Sequence, residues 1–141
     1  MIVNTRPLSL SENIILLAKD QVLDLKNIHL STLESNESSL DNQRFDLYVN
    51  EISAYDNIIF TSQSAVKFGS KILNLEGLSK SFEGEIYSIG PATSLELQKR
   101  GINPIVAQSY NSEGLLEVIR NKSGRNLLFC GKNSRGYLKD N

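Results

Sequence analysis

From residue 56 onward the chain alternates short apolar runs with longer amphipathic ones, and this alternation limits its folds more than any other feature. The apolar runs are "NIIFT" (57–61), "EIYSI" (85–89), "NPIVA" (103–107) and "RNLLFC" (125–130). Between and after them lie "SAVKFGSKIL" (64–73), "ATSLELQKR" (92–100), "SEGLLEVIRN" (112–121) and "SRGYLKDN" (134–141). The first group has strand length and bulk, and the second has apolar residues at helical spacing. Ala65, Phe68, Gly69 and Ile72 form one helical face, with Val66 and Leu73 beside it. Ser112 is the expected N-cap of its helix, and Gly101 is the expected left-handed stop of the helix before. Strand and helix in regular turn mean βαβ units. The expected fold is therefore α/β, a parallel sheet flanked by helices.

The first third reads differently. "MIVNT" (1–5) is a short strand closed by Pro7, because proline cannot continue a central strand. A helix follows with Ser11 as N-cap and Ile14, Ile15, Leu17 and Ala18 on one face. "NIHLSTL" (27–33) alternates and predicts a second strand containing His29. The serine-rich "ESNESSLDNQ" has no apolar period and reads as a linker. "FDLYVNEISAY" then places Phe45, Tyr48, Val49 and Ile52 at helical spacing.

In a parallel sheet all strands end at one edge, where the following helices begin. Their first-turn N–H groups lack partners within the helix, so ligands bind there. The residues just past the strands are Thr5-Arg6, Thr61-Ser62-Gln63, Gly90-Pro91-Ala92-Thr93, Gln108-Ser109-Tyr110-Asn111 and Gly131-Lys132-Asn133-Ser134-Arg135. They offer hydroxyls, amides, glycines and a few cations, with no acid or base. Such a rim suits a ligand carrying several carboxylates or phosphates. Taken singly, each of these residues is more often a cap or a turn residue than a ligand contact, so the reading rests on the set. Tyr110 is the rim tyrosine least explained by packing.

Other chemistries are poorly supported. The 141 residues carry a net charge of −1 with pI near 5.8, which gives no general reason to expect nucleic acid or a membrane surface as partner. One cysteine, Cys130, excludes an intramolecular disulfide and fits a reducing compartment. With a single His, a His/Cys zinc site and a Ser/His/Asp triad both lack support. Cys130 itself reads as a small buried hydrophobe. The phosphate loop G-x-x-x-x-G-K-[ST] and the dinucleotide fingerprint G-x-G-x-x-G are both missing. The N-terminus is not patterned as a secretory signal, no apolar run has membrane-spanning length, and the expected location is the cytoplasm.

The motifs Thr5-Arg6-Pro7, "YDNIIFTSQSAVKF", "IYSIGPATSLELQKRGINPIVAQSYNSEGLLEVI" and "NLLFCGKNSRGYL" occur in an order that resembles the first part of the uroporphyrinogen-III synthase family. The resemblance implies a flavodoxin-like, HemD-like fold of two α/β domains. It implies cyclisation of the linear tetrapyrrole hydroxymethylbilane to uroporphyrinogen III, with inversion of the last pyrrole ring and loss of water. The implied route passes through an azafulvene cation and a spiro intermediate, without metal or organic cofactor. The substrate carries eight carboxylates, which agrees with the rim read from the residues. By resemblance the substrate-binding residues are Arg6, Thr61, Ser62, Gly90, Thr93, Ser112 and Arg135, and no catalytic residue is assigned. Cys130 stands where many bacterial members carry arginine.

The same resemblance divides the chain. Residues 1–33 correspond to an N-terminal strand-helix-strand piece of one domain, 34–40 to a linker, and 41–141 to most of a second domain lacking its last strand. Family members are nearly twice as long, so the expectation is a fragment or half of a split enzyme, with a C-terminal half as possible partner and little activity alone. The competing reading is non-enzymatic: a flavodoxin-like small-anion binding or regulatory α/β module.

Overall fold

Ile58, Ile59 and Phe60 leave no polar side for water, and the strand they build, β3 (Asn57–Phe60), is buried along its whole length. The computed structural model describes residues 1–34, 51–131, 134 and 136–140. The chain forms two compact units, Met1–Ser35 and Asn36–Asn141.

In the first unit, β1 (Ile2–Asn4) pairs in parallel with β2 (Leu25–Asn27), and α1 (Glu12–Asp20) connects them after a 3-10 turn at Leu8–Leu10. The pair is fixed by polar side chains. Buried Asn4 donates from Nδ2 to Ser11 Oγ (3.0 Å) and to Asn27 Oδ1 (2.8 Å). The expectations for β2, His29 and Leu17 are corrected here. Strand β2 lies at 25–27 instead of 27–33, because this register brings Asn27 beside Asn4. His29 therefore falls outside the strand, with Nδ1 2.6 Å from the Arg6 carbonyl oxygen. Ser11 holds the N-cap position of α1 without capping it through its side chain. Its hydroxyl donates to the Pro7 carbonyl (2.9 Å) instead, and Leu17 of the expected apolar face is exposed.

The second unit is a sheet of four parallel strands in the order β5-β4-β3-β6. Strand β3 is Asn57–Phe60, β4 is Glu85–Ser88, β5 is Ile105–Val106 and β6 is Asn126–Phe129. The helices are α2 (Gln63–Ile72), α3 (Leu75–Ser81), α4 (Pro91–Gln98), α5 (Ser112–Ile119) and α6 (Tyr137–Asp140). The α/β class with helices on a parallel sheet is as the alternation predicts. Helix α3 was not anticipated. It begins at Asn74, whose side chain accepts from Gly77 N–H (3.1 Å), and it buries Leu75 and Leu78. The helix expected over 45–55 lies largely outside the described residues, and its described part, Ile52–Ala54, is a single 3-10 turn. Most of the 34–40 linker also falls outside them.

The two-residue period of a strand sorts the core into two layers. Ile58 and Phe60 face α2, α3 and α4, packing with Val66, Leu73, Leu75, Leu78 and Leu97. Ile59 and Tyr87 face α5 and α6, with Ala107, Leu115, Ile119 and Leu138. The centre of the buried α2 face is Val66 and Gly69, flanked by Ala65 and Ile72, whereas Phe68 is only half buried. Gly69 lies under the stacked rings of Phe60 and Phe129, 4.9 Å between centroids. A Cβ there would stand 3.1 Å from each ring. The helix thus approaches the sheet so closely that a larger residue would require the rings to shift. Gly101, at φ +77, ends the α4 region in the left-handed conformation, as the sequence predicts. No helix among the described residues is long and apolar enough to cross a membrane.

Candidate functional site

Connections from β3 to β4 and from β4 to β5 run one way across the sheet. The next connection returns past them to β6, on the other side of β3. Helix α2 leaves β3 toward one face, and α6 leaves β6 toward the opposite face. Where neighbouring strands send their helices to opposite faces, the C-terminal edge of a parallel sheet opens into a crevice. It does so here. A crevice of about 280 Å³ is lined by Thr61, Ser62, Ile89, Ser112, Leu128, Cys130, Gly131, Ser134 and Leu138.

Its polar wall is built locally. Ser62 has the extended backbone of an N-cap, and its Oγ accepts from Ala65 N–H at 3.0 Å. That bond uses a lone pair and leaves the hydroxyl proton to be donated elsewhere. Thr61 differs. Both its backbone N–H (3.1 Å) and its Oγ1 (3.2 Å) donate to the carbonyl of Phe129, so its proton is engaged within the fold. Across the crevice the N-cap of α5 is Asn111, which corrects the assignment of Ser112. Asn111 is extended and its Oδ1 accepts from Gly114 N–H at 2.7 Å. Ser112 is the first residue inside the helix, half buried on the crevice wall.

The structure therefore brings Thr61, Ser62 and Ser112 into one crevice. Gly90 and Thr93 stand at the start of α4 on the same sheet edge, but neither lines it. Thr93 is buried, and Gly90 holds an N-cap position without a side-chain bond. Arg6 is exposed in the first unit. Arg135 lies outside the described residues. Cys130 is half buried on the crevice wall, not sealed in the core. Reading rim residues alone missed the apolar wall of Ile89, Leu128 and Leu138, because apolar residues near strand ends look like ordinary core.

The perturbed acids lie elsewhere. At the opposite end of β4, the Tyr87 hydroxyl donates to Glu85, and Lys122 sits 2.9 Å from the same carboxylate. The Tyr87 hydrogen bond, followed by Lys122, holds Glu85 below the usual carboxylate range. Burial and the Glu85 contact push the Tyr87 phenol well above its ordinary value. On α4, burial pushes Glu96 up, but the bond from Arg100 (2.7 Å) and the charges of Arg100, Lys99 and Lys67 outweigh it, and its pKa is lowered. None of these groups lines the crevice. They fasten structure, whereas the crevice wall offers hydroxyls, a thiol and helix N-termini.

One family model, described as uroporphyrinogen-III synthase HemD, matches residues 21–141. No curated protein matches the chain.

Proposed function

The chain belongs to the uroporphyrinogen-III synthase family, and on that premise we propose that it acts on the family's substrate, hydroxymethylbilane. The carboxylates would be held at the C-terminal edge of the sheet. The observation that carries this reading is the crevice at the β3/β6 switch point. Its polar wall combines the Ser62 hydroxyl, Ser112, Ser134 and the starts of α2 and α5. Helix N-termini and hydroxyl donors are matched to carboxylates. Ile89, Leu128 and Leu138 supply an apolar surface for a pyrrole.

Among the described residues, those that line the crevice include no carboxylate, imidazole or amine. Their contribution is to hold the substrate's ends in a geometry for ring closure, with the reactive cation and leaving water supplied by the bilane. A volume of about 280 Å³ is at the small end for a ligand pocket. It accommodates one ring with its acid side chains, not four rings. Alone, the 141 residues bind the bilane weakly and close it poorly. The second reading, a small-anion module without catalysis, draws on the same small volume.

Two measurements test this. Titration calorimetry of the chain against a linear tetrapyrrole and against inorganic phosphate separates the readings. Heat with phosphate and none with the tetrapyrrole overturns the substrate assignment. Isomer analysis of the uroporphyrinogen formed from hydroxymethylbilane tests the activity. Isomer III no higher than in the protein-free blank overturns the proposal that the chain acts on hydroxymethylbilane.

A further inference from the structure

Tyr110 has a backbone that tyrosine rarely adopts and a side chain that the fold does not bury. Its φ is +50°, in the left-handed region where a bulky residue is an outlier. The residue is 60% exposed, so core packing does not offset that conformational energy. The surroundings impose it. Tyr110 N–H bonds to the Ala107 carbonyl, and Asn111 is fixed by its cap on Gly114. Ser109 is pressed so closely on α5 that a Cβ at Gly114 would lie 2.8 Å from the Ser109 Cβ. Strain held in place by its neighbours, at the ligand edge of a sheet, is a pointer to function.

Its position gives that pointer a direction. A Cβ on Gly90 would stand 3.5 Å from Tyr110 Cβ and 3.9 Å from Cγ, so the side chain rises beside the start of α4. Ile89, just before Gly90, and Ser112, two residues after Tyr110, both line the crevice. The tyrosine thus flanks the crevice on its β4–β5 side, with an aromatic face available to a ligand. A flat, electron-rich ring next to helix starts of the kind that suit carboxylates fits a ligand that is itself a chain of flat rings bearing acids.

Resting on the substrate reading above, we propose that Tyr110 is a substrate-contacting residue whose ring packs on one pyrrole of the bound linear tetrapyrrole and positions it over the crevice. The bond-making steps do not involve it. The packing surface is its contribution, and the hydroxyl is secondary.

The test uses the whole chain and the octacarboxylate bilane that lacks the terminal hydroxyl and so cannot cyclise. Affinity is measured by titration calorimetry and stability by thermal melting for the native chain, Tyr110→Phe, Tyr110→Ala and Tyr110→Gly. Removing the ring is expected to weaken binding about tenfold, the size of one aromatic contact. Tyr110→Phe should stay within about threefold of the native chain, since it keeps the ring face. Tyr110→Gly should melt no lower than the native chain, because glycine adopts the left-handed conformation freely. Equal affinity for Tyr110→Ala and the native chain overturns the contact, as does a Tyr110→Gly variant that loses affinity and stability together. If the native chain itself gives no heat with the bilane, the substrate reading fails, and the contact with it. That outcome is distinct from loss in the variants alone.

Discussion

Thr61 gives both its backbone N–H and its hydroxyl to the carbonyl oxygen of Phe129, at 3.1 and 3.2 Å, and so ties the exit of β3 to the exit of β6. Thr61 also lines the crevice. The bond from its hydroxyl removes that proton from the donors available to an anion. Replacing Thr61 by Val should cost about 1 kcal/mol, the net worth of one such bond, measured from the urea unfolding midpoint. Affinity for a linear tetrapyrrole should stay within about twofold, because a proton engaged in the fold adds nothing to the ligand.

Ser62 should behave in the opposite way. Its oxygen caps α2 while its proton remains available. Ser62→Ala should lose about 1 kcal/mol of stability and Ser62→Gly only a few tenths, whereas both should weaken tetrapyrrole binding to a similar extent. Unfolding curves and calorimetry on the two variants separate the cap from the contact. Equal binding by Ser62→Ala and the native chain would remove Ser62 from the site.

Acid should loosen the second unit through Glu96. Its folded pKa lies below its ordinary value, because the Arg100 bond and nearby cations outweigh burial. Between the two pKa values the unfolded chain binds more protons, so stability rises with pH there. The Glu96 contribution is fully present above the ordinary carboxylate pKa of about 4.5. It is lost as pH falls from there through the folded value. Unfolding midpoints taken from pH 6 down to about pH 3 should drop, and Glu96→Gln should flatten that drop. An unchanged slope in the variant would assign the acid sensitivity to other groups.

Ser88 points its side chain to the α2–α4 side of the sheet, in the row of Phe60 and Phe129, and is fully buried. Its Oγ has no hydrogen-bond partner among the described residues. A buried hydroxyl without a partner costs about 1–3 kcal/mol, so Ser88→Ala should raise stability by about 1 kcal/mol. A thermal or urea melt checks the sign, and a loss of stability would mean that the hydroxyl is satisfied.

Much of this was readable in advance, for identifiable reasons. Ile58, Ile59 and Phe60 read as a buried strand, and Gly101 reads as a left-handed stop. The rim position of Thr61 and Ser62 followed from the alternation of strands and helices, whereas Ser112 entered the site only through the family resemblance. Choosing between Asn111 and Ser112 as cap was not readable, because both residue types cap well. The choice is made by which one is extended, and here that is Asn111. Helix α3 was hidden because it rests on Leu75 and Leu78 between two polar stretches. The β2 register was missed because it is set by Asn27 meeting Asn4, a pairing without a hydrophobic pattern.

The partnership of β3 with β6 has one more consequence, for the order of assembly. Asn57 pairs with Glu85 on one side and with Asn126 on the other, more than twice as far along the chain. Closing the longer loop costs about 0.8 kcal/mol more entropy than closing the shorter one. The neighbouring strands β3, β4 and β5 can zip from local pairings, while β6 must search for its place from a distance. Both walls of the crevice meet only once β6 has docked. An intact crevice is thus a late milestone of folding, and a chain that binds ligand there has completed the most distant pairing of its sheet.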